Sequence, residues 1–268
     1  MYLKDYALSA NLGYLFTEHP LVDAIARAAE AGFKAVECQR PYHVPAAQVR
    51  QACIEAAIPM LAINTAKGEP GQFGLSALPH ATHEARQAID QAVDYAGEVE
   101  AGYIHLVSGI TSGSASFDTL CLNIEYALER LKNTKIEVII EPINTNSVPG
   151  YFMSSLQIAR DVVTAVNSDR LGIMFDCFHM LHITGSKTAL LEAYALLHKK
   201  VRHIQFAAFP DRNEPNHNPF SYPALFDSFM ASGYDGYFGA EYQPAGSTQA
   251  SLDWMNEYEA FCVPNGQE

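Results

Sequence analysis

Positive charge is scarce in this sequence of 268 residues. Seventeen Lys and Arg residues stand against 30 Asp and Glu residues, which gives a formal net charge of −13. A protein whose main partner is a nucleic acid needs a basic face that neutralises phosphates. The acidic balance therefore argues against a general nucleic-acid binder, although it permits one local basic site for a small anion.

Paired cysteines and long apolar runs are also missing. The five cysteines, at positions 38, 53, 121, 177 and 262, are odd in number and show no C-x-x-C spacing, which indicates reduced intracellular thiols. No run approaches the roughly 20 apolar residues of a membrane span. The N-terminal stretch MYLKDYALSANLGYLF lacks the apolar core of a signal peptide. We therefore predict a soluble, cytoplasmic protein with no membrane partner.

Short apolar runs alternate with longer amphipathic ones. The apolar runs predict strands over 6–11, 35–39, 60–64, 103–107, 137–141, 171–176, 202–207 and 237–242. Apolar residues at three- and four-residue spacing predict helices over 20–32, 80–102, 117–133, 154–167, 187–200 and 222–233. Such alternation indicates parallel strands with right-handed crossovers. Eight units in this length favour a single (β/α)8 TIM barrel over residues 1–268, and no G-x-G-x-x-G supports a dinucleotide-binding sheet.

Four polar side chains stand at the ends of the last four predicted strands. They are Glu141, Asp176, Gln205 and Glu241, each about one βα unit from the next. In a barrel these strand ends meet at the active-site face, and three carboxylates cannot all stay ionised there without a cation. Each acid alone also fits an ordinary solvated strand end. Together, their oxygen atoms suit one divalent ion, Mg²⁺ or Mn²⁺.

Two histidines lie near this set. His203 stands two residues before Gln205, so both side chains point to the same side of the strand. His203 is thus an alternative ligand from the seventh strand, but Gln205 lies nearer the C-terminal strand end and is preferred. His179 follows Asp176 by three residues, where we expect the next loop to begin. It either contacts a substrate or packs.

Several longer motifs resemble the hydroxypyruvate isomerase family. These are EPIN…PGYF (141–152), MFDCFHM (174–180), HIQFAAFPDRNEP (203–215), GYDGYFGAEYQP (233–244) and LDW (252–254). The family belongs to the wider xylose-isomerase-like barrels, whose members include ketose 3-epimerases and endonuclease IV. The resemblance runs from residue 9 to residue 254, and it is most specific in the second half of the chain.

The resemblance implies a function for each of these positions. It implies a divalent metal bound by Glu141, Asp176, Gln205 and Glu241, with Glu141 and Glu241 as the acid–base pair. His179, Arg212 and Glu214 match positions that contact the substrate. The expected reaction converts hydroxypyruvate to tartronate semialdehyde, or acts on a related small 2-keto sugar acid, through an enediolate.

The substrate implied by this resemblance carries a carboxylate, and that group needs a cation. Arg212 offers a bidentate guanidinium fork, and Lys67 in AKGEPG is a second candidate. An arginine at this point is also compatible with a solvated loop. If Arg212 binds the substrate carboxylate, its mutation should damage turnover of an acid more than turnover of a neutral ketose.

Other functions stay open at this stage. After RNEP the family commonly has a glycine-rich turn with Gly-Glu, whereas this chain reads NHNPFSYP (216–223). A proline there fixes φ, so the loop has another shape. This departure bears on the identity of the substrate and not on the metal centre. The alternatives are a ketose 3-epimerase acting on a free sugar, an endonuclease IV-like DNA repair enzyme, and a non-catalytic sugar-acid binder. Aromatic residues in PFSYPALF (219–226) suggest a homodimer surface.

Overall fold

The computed structural model describes residues 2–256, apart from the side chain of His217. It is a closed barrel of eight parallel strands in chain order. The last strand pairs with the first. The strands are β1 (Leu8–Asn11), β2 (Ala35–Cys38), β3 (Met60–Asn64), β4 (Tyr103–His105), β5 (Glu137–Ile140), β6 (Leu171–Asp176), β7 (Val201–Phe206) and β8 (Phe238–Ala240). The predicted (β/α)8 fold is confirmed; residues 257–268, with Cys262, lie outside the described residues.

Helices separate these strands along the chain. They are α1 (Leu21–Glu30), α2 (Ala46–Glu55), α3 (Thr82–Val99), α4 (Ser114–Arg130), α5 (Leu156–Val166), α6 (Cys177–Thr184), α7 (Lys187–Leu197) and α8 (Tyr222–Ala231). The six predicted helices are present with shifted ends. Across residues 2–256, none of the helices combines the length and apolar character that crossing a membrane requires.

Two of these helices, α2 and α6, escaped the sequence prediction. Helix α2 buries only Val49, Ala52 and Cys53, so its apolar stripe is narrow. Helix α6, with the sequence CFHMLHIT, begins directly after β6 and is apolar on most of its surface. In a short apolar segment that directly follows a strand, the hydrophobic pattern of a helix cannot be told from that of a strand.

The strands are buried on both faces, as covering helices require of a parallel sheet. All six residues of β6 are buried, for example. Polar side chains are nevertheless buried in several strands, namely Ser9, Asn11, Glu37, His105, Asp176, His203 and Gln205. Buried polar groups need hydrogen-bond partners inside the barrel. Several of these partners belong to the candidate functional site.

The segment 219–226 does not expose the aromatic surface that the sequence predicted for a homodimer. Tyr222 and Phe226 are buried. Phe226 stacks on Phe238 of β8, with 3.8 Å between ring centroids. These rings pack α8 against the barrel, because buried aromatic area is worth more there than at the surface. The homodimer remains a prediction without support from this segment.

Candidate functional site

Three buried carboxylates meet at the C-terminal rim of the barrel. Asp176 is the last residue of β6, while Glu141 and Glu241 each stand one residue beyond the ends of β5 and β8. Asp176 is 1% exposed, and the two glutamates are each 5% exposed. Parallel strands direct their C-terminal ends to one rim, so side chains distant in sequence come together there.

Arg212 bridges two of these carboxylates. Its Nη2 atom lies 2.9 Å from Asp176 Oδ2 and 3.1 Å from Glu241 Oε2. Its Nη1 atom lies 2.9 Å from His179 Nε2. The backbone of Arg212 adopts φ 58°, in a turn closed by the bond from its N–H to the Ala208 carbonyl. The guanidinium is therefore part of the carboxylate cluster, and the side chain is only 14% exposed.

His179 lies in α6 and not at the start of a loop, which corrects the sequence prediction. Asp176 makes this possible, because its Oδ1 atom accepts the Phe178 N–H at 2.8 Å and caps the helix. The helix then carries His179 back over the rim. Its Nε2 atom lies 3.6 Å from Asp176 Oδ2 and 3.7 Å from Glu141 Oε1. The Asn144 side-chain nitrogen lies 2.7 Å from Nδ1 and fixes the ring.

The residues of this site fit a bound cation. Ligand atoms of Glu141, Asp176 and His179 all lie within 4.8 Å of one another. Glu141 Oε1 and Gln205 Oε1 are buried and have no hydrogen-bond partner among the described residues. A cation would satisfy such oxygen atoms, whose burial without a partner is otherwise unfavourable.

The electrostatics of the site point the same way. Burial, and then the charges of Glu241 and Asp176, raise the pKa of Glu141 well above its ordinary value. Burial also raises the pKa of Glu241 to about 7, although Arg212 opposes the shift. Burial also raises the pKa of Asp176. Burial is the first cause of all three shifts, so each carboxylate is ionised at a cost in free energy that a cation would reduce.

Gln205 lies beside Asp176, since the two residues are register partners on β7 and β6. Its Nε2 atom donates to Glu37 Oε2 at 2.8 Å. His203 is completely buried, and its Nε2 atom lies 3.0 Å from Glu37 Oε1. The two β7 side chains therefore point to the same side, as predicted. Burial alone would raise the pKa of Glu37, but His203, Ser9 and Gln205 together lower it.

Sequence reasoning missed several polar residues that complete the site. Gln39 donates from Nε2 to Glu241 Oε1 at 2.6 Å. His105 Nδ1 lies 3.8 Å from Glu141 Oε2, and burial followed by the charge of Lys67 lowers the pKa of His105 to about 3. A polar residue inside an apolar strand run was the available signal, since Glu37 stands in AVEC and His105 in YIHL.

A cavity of about 290 Å³ opens onto Glu141 and Glu241, whereas Asp176 and Gln205 are not among the described residues that line it. Lys67 enters it from the long loop after β3, and its Nζ atom lies 4.1 Å from the centre of the Phe73 ring. The other lining residues include Tyr14, Gln39, Glu141, His179, Arg212 and Glu241. Glu214 is not among the described residues that line this cavity. Its Oε1 atom instead accepts the Ala245 N–H at 2.8 Å, which holds the loop after β8.

A family model described as a xylose isomerase-like TIM barrel matches residues 25–258. This chain belongs to that family. A 2-oxo-tetronate isomerase of Cupriavidus necator is 33% identical over 256 residues, or 93% of this chain and 97% of the relative. A human protein named "Putative hydroxypyruvate isomerase" is 34% identical over 263 residues, or 93% of this chain and 94% of the relative. The resemblance drawn from the motifs is confirmed.

A solved structure of this family has nearly the same fold. It is that of a protein named AP endonuclease, family 2, from Brucella melitensis, and it matches with a TM-score of 0.87 at 33% identity. The match covers 93% of this chain and 97% of that one. The family relationship therefore extends over almost the whole barrel.

Proposed function

We propose that the protein is an isomerase of small 2-keto acids, either hydroxypyruvate or a related acid such as a 2-oxo-tetronate. The reaction would move a carbonyl group to the neighbouring carbon through an enediolate. The observation that carries this proposal is the convergence of Glu141, His179 and Glu241 on one small cavity, with Asp176 within 4.8 Å of the first two. The names of the relatives support the class of substrate.

Glu141, Asp176, Gln205 and Glu241 would hold one divalent ion, Mg²⁺ or Mn²⁺, because oxygen donors suit hard cations. When bound, the ion would act as a Lewis acid that stabilises negative charge on the substrate oxygens. His179 lies close enough to the same carboxylates to contact either the ion or the substrate.

Glu141 and Glu241 would transfer the proton. They follow β5 and β8, and both line the cavity. Gln39 and Arg212 fix the Glu241 carboxylate, while His105 and His179 flank that of Glu141. One carboxylate can therefore take a proton from one carbon, and the same or the other can return it to the next. General acid–base assistance of this kind contributes about 10²–10⁴-fold.

The cavity suits a small acid. Its volume of about 290 Å³ compares with ~30 Å³ for one water molecule in the liquid. A substrate of a few carbon atoms fits this space, with its carboxylate close to Lys67 or Arg212. A polymer would have to leave most of its length outside.

Solvent exchange tests this function directly. EDTA-treated protein would be incubated in D₂O with hydroxypyruvate or 2-oxo-tetronate, with and without Mg²⁺ or Mn²⁺, and followed by NMR. We expect metal-dependent conversion with deuterium uptake, reduced at least about 100-fold by Glu141→Gln and by Glu241→Gln. Glu137→Gln is the matched control, because Glu137 lies at the opposite end of β5 and pairs with Arg202.

The outcomes separate the candidate functions. Deuterium exchange into free ketoses, without conversion of the acids, would indicate a ketose 3-epimerase instead. Bound metal without exchange into any α-hydroxy carbonyl compound would contradict proton transfer altogether and favour a binding protein.

A further inference from the structure

Gln205 is the amide in the proposed set of cation ligands, and an amide has two unlike ends. Its oxygen can bind a cation, whereas its NH₂ group only donates hydrogen bonds. The orientation of the amide therefore decides whether Gln205 is a ligand at all. Backbone position alone does not set this orientation, since rotation about the last side-chain torsion exchanges the two ends.

A hydrogen bond across the barrel interior sets this orientation. The Gln205 Nε2 atom lies 2.8 Å from Glu37 Oε2, and both residues are 1% exposed. A carboxylate oxygen accepts hydrogen bonds, so the nitrogen end of the amide must face Glu37. Oε1 then points away from Glu37, and it has no hydrogen-bond partner among residues 2–256.

The Glu37 carboxylate is itself held from two further strands. Ser9 of β1 donates from Oγ to Glu37 Oε1 at 2.6 Å. His203 of β7 places Nε2 at 3.0 Å from the same oxygen. Glu37 therefore reaches from β2 across to β7, with Oε1 accepting from Ser9 and lying close to His203, and Oε2 accepting from Gln205.

Gly239 of β8 leaves the space for this arrangement. A Cβ atom at this position would lie 2.4 Å from Glu37 Oε1, 2.8 Å from His203 Nε2 and 3.0 Å from Gln205 Cγ. Side-chain atoms of buried groups cannot approach so closely without moving. The absence of a side chain at position 239 thus leaves the room that the Glu37 carboxylate and its neighbours occupy.

We propose that Glu37 is a positioning residue for the cation site, which turns the Gln205 oxygen toward the ion, and that Gly239 provides the room it needs. The inference rests on the proposed function. Glu37 and Gln205 are both absent from the described residues that line the cavity, so Glu37 would act on the ion through Gln205 and not by contact with the substrate.

Calorimetric titration of EDTA-treated protein with Mn²⁺ tests this role without any substrate. We expect Glu37→Gln to weaken Mn²⁺ binding by about 10–100-fold, the usual effect of removing a group that orients a metal ligand. The neutral amide introduced at position 37 would no longer force the nitrogen end of Gln205 toward itself. Gly239→Ala should weaken binding in the same direction, because its methyl group displaces the Glu37 carboxylate.

An exchange of the two residues gives the sharpest comparison. In the double variant Glu37→Gln with Gln205→Glu, the amide now at position 37 keeps its oxygen toward Ser9 and His203. Its NH₂ group donates to the carboxylate now at position 205. The charge and the hydrogen bond are retained, and a carboxylate oxygen still faces the ion. Because both ends of a carboxylate are oxygen atoms, this variant needs no orienting partner, and we expect its dissociation constant for Mn²⁺ to lie within about threefold of the wild-type value. Glu137→Gln is the control, since it makes the same change at the opposite end of β5, where Glu137 pairs with Arg202, and it should bind Mn²⁺ as the wild type does.

The possible results separate this inference from the proposed function. If the wild type did not bind Mn²⁺, that result would contradict the proposed cation site and this inference with it. Wild-type binding with an unchanged dissociation constant in Glu37→Gln would overturn the positioning role alone. If Glu37→Gln does not give a cooperative melting transition, Gly239→Ala decides: a folded variant that binds Mn²⁺ more weakly supports the role, and a folded variant with an unchanged dissociation constant contradicts it.

Discussion

Arg212 shows how one residue can partly neutralise a site that carries too much negative charge. Its guanidinium contacts Asp176 and Glu241, and these charges raise its own pKa even though burial lowers it. A free guanidinium fork for a substrate carboxylate was the prediction from sequence. In the structure Nη2 of this fork faces two protein carboxylates and Nη1 faces His179, so we expect loss of Arg212 to affect the site with a neutral substrate as well.

Replacement of Arg212 should therefore affect stability as well as turnover. We expect Arg212→Met to lower the free energy of unfolding in EDTA by about 3–5 kcal/mol, because it leaves buried carboxylates unpaired. Saturating Mn²⁺ should reduce this loss. Urea denaturation measures both values. Arg202→Met is the control, since Arg202 pairs with Glu137 in a more exposed position, where we expect less than about 1 kcal/mol. Equal losses in the two variants would contradict this role of Arg212.

Lys67 is the better candidate for the substrate carboxylate. Its ammonium group lines the cavity, and it has no carboxylate within 4.0 Å among the described residues. We expect Lys67→Met to reduce kcat/KM for hydroxypyruvate by about 10–100-fold, the equivalent of one charge-assisted hydrogen bond. Turnover of the neutral ketose dihydroxyacetone should change far less, and Lys67→Arg should retain most activity. Steady-state kinetics with both substrates would refute this assignment if the two losses were the same.

At the scale of elements, the junction of β6 and α6 joins a strand to a helix with no loop between them. Asp176 ends the strand, caps the helix and faces Arg212. One side chain therefore fixes the direction of α6, which in turn places His179. Local structure and site chemistry depend on the same carboxylate.

Two substitutions at Asp176 separate these roles. Asn caps helices about as well as Asp, so Asp176→Asn should keep the cap while losing the charge. Asp176→Ala should be less stable than Asp176→Asn by about 1 kcal/mol, the usual value of a cap. Both variants should lose Mn²⁺ affinity. Thermal melts in EDTA measure the difference, and two equal melting temperatures would show that the cap adds nothing.

Much of this architecture could be predicted from local patterns. The eight apolar runs identified the strands, and the ends of those runs identified Glu141, Asp176 and Glu241. Helix α6 could not be recognised, because its eight residues carry no polar face. Glu37 was missed for another reason. Its partners Ser9, His203 and Gln205 lie on other strands, and no pattern within β2 shows which side chains meet across a closed barrel.

At the scale of the whole molecule, charge and cavity size both disfavour a nucleic-acid substrate. The chain carries a net charge of −13, and the site is a cavity of about 290 Å³ rather than an open groove. One solved relative is nevertheless titled an AP endonuclease. A direct binding measurement on this chain is therefore informative.

We expect no binding of a duplex that contains an abasic site at about 150 mM salt, because few basic residues are present to release counterions. Fluorescence anisotropy of labelled duplex measures this. An intact duplex is the control for non-specific association. Micromolar affinity for the abasic duplex, with a steep dependence on salt, would contradict the assignment to small acids.

The close packing around Gly239 has a consequence for mutational tolerance. Under selection for activity, a library covering every position should reject all other residues at 239, as strictly as it rejects changes at Glu141. The cause differs, since position 239 fails by volume and Glu141 by loss of a functional group. A map of intolerant positions would therefore include position 239 in the active site, although Gly239 is not among the described residues that line the cavity.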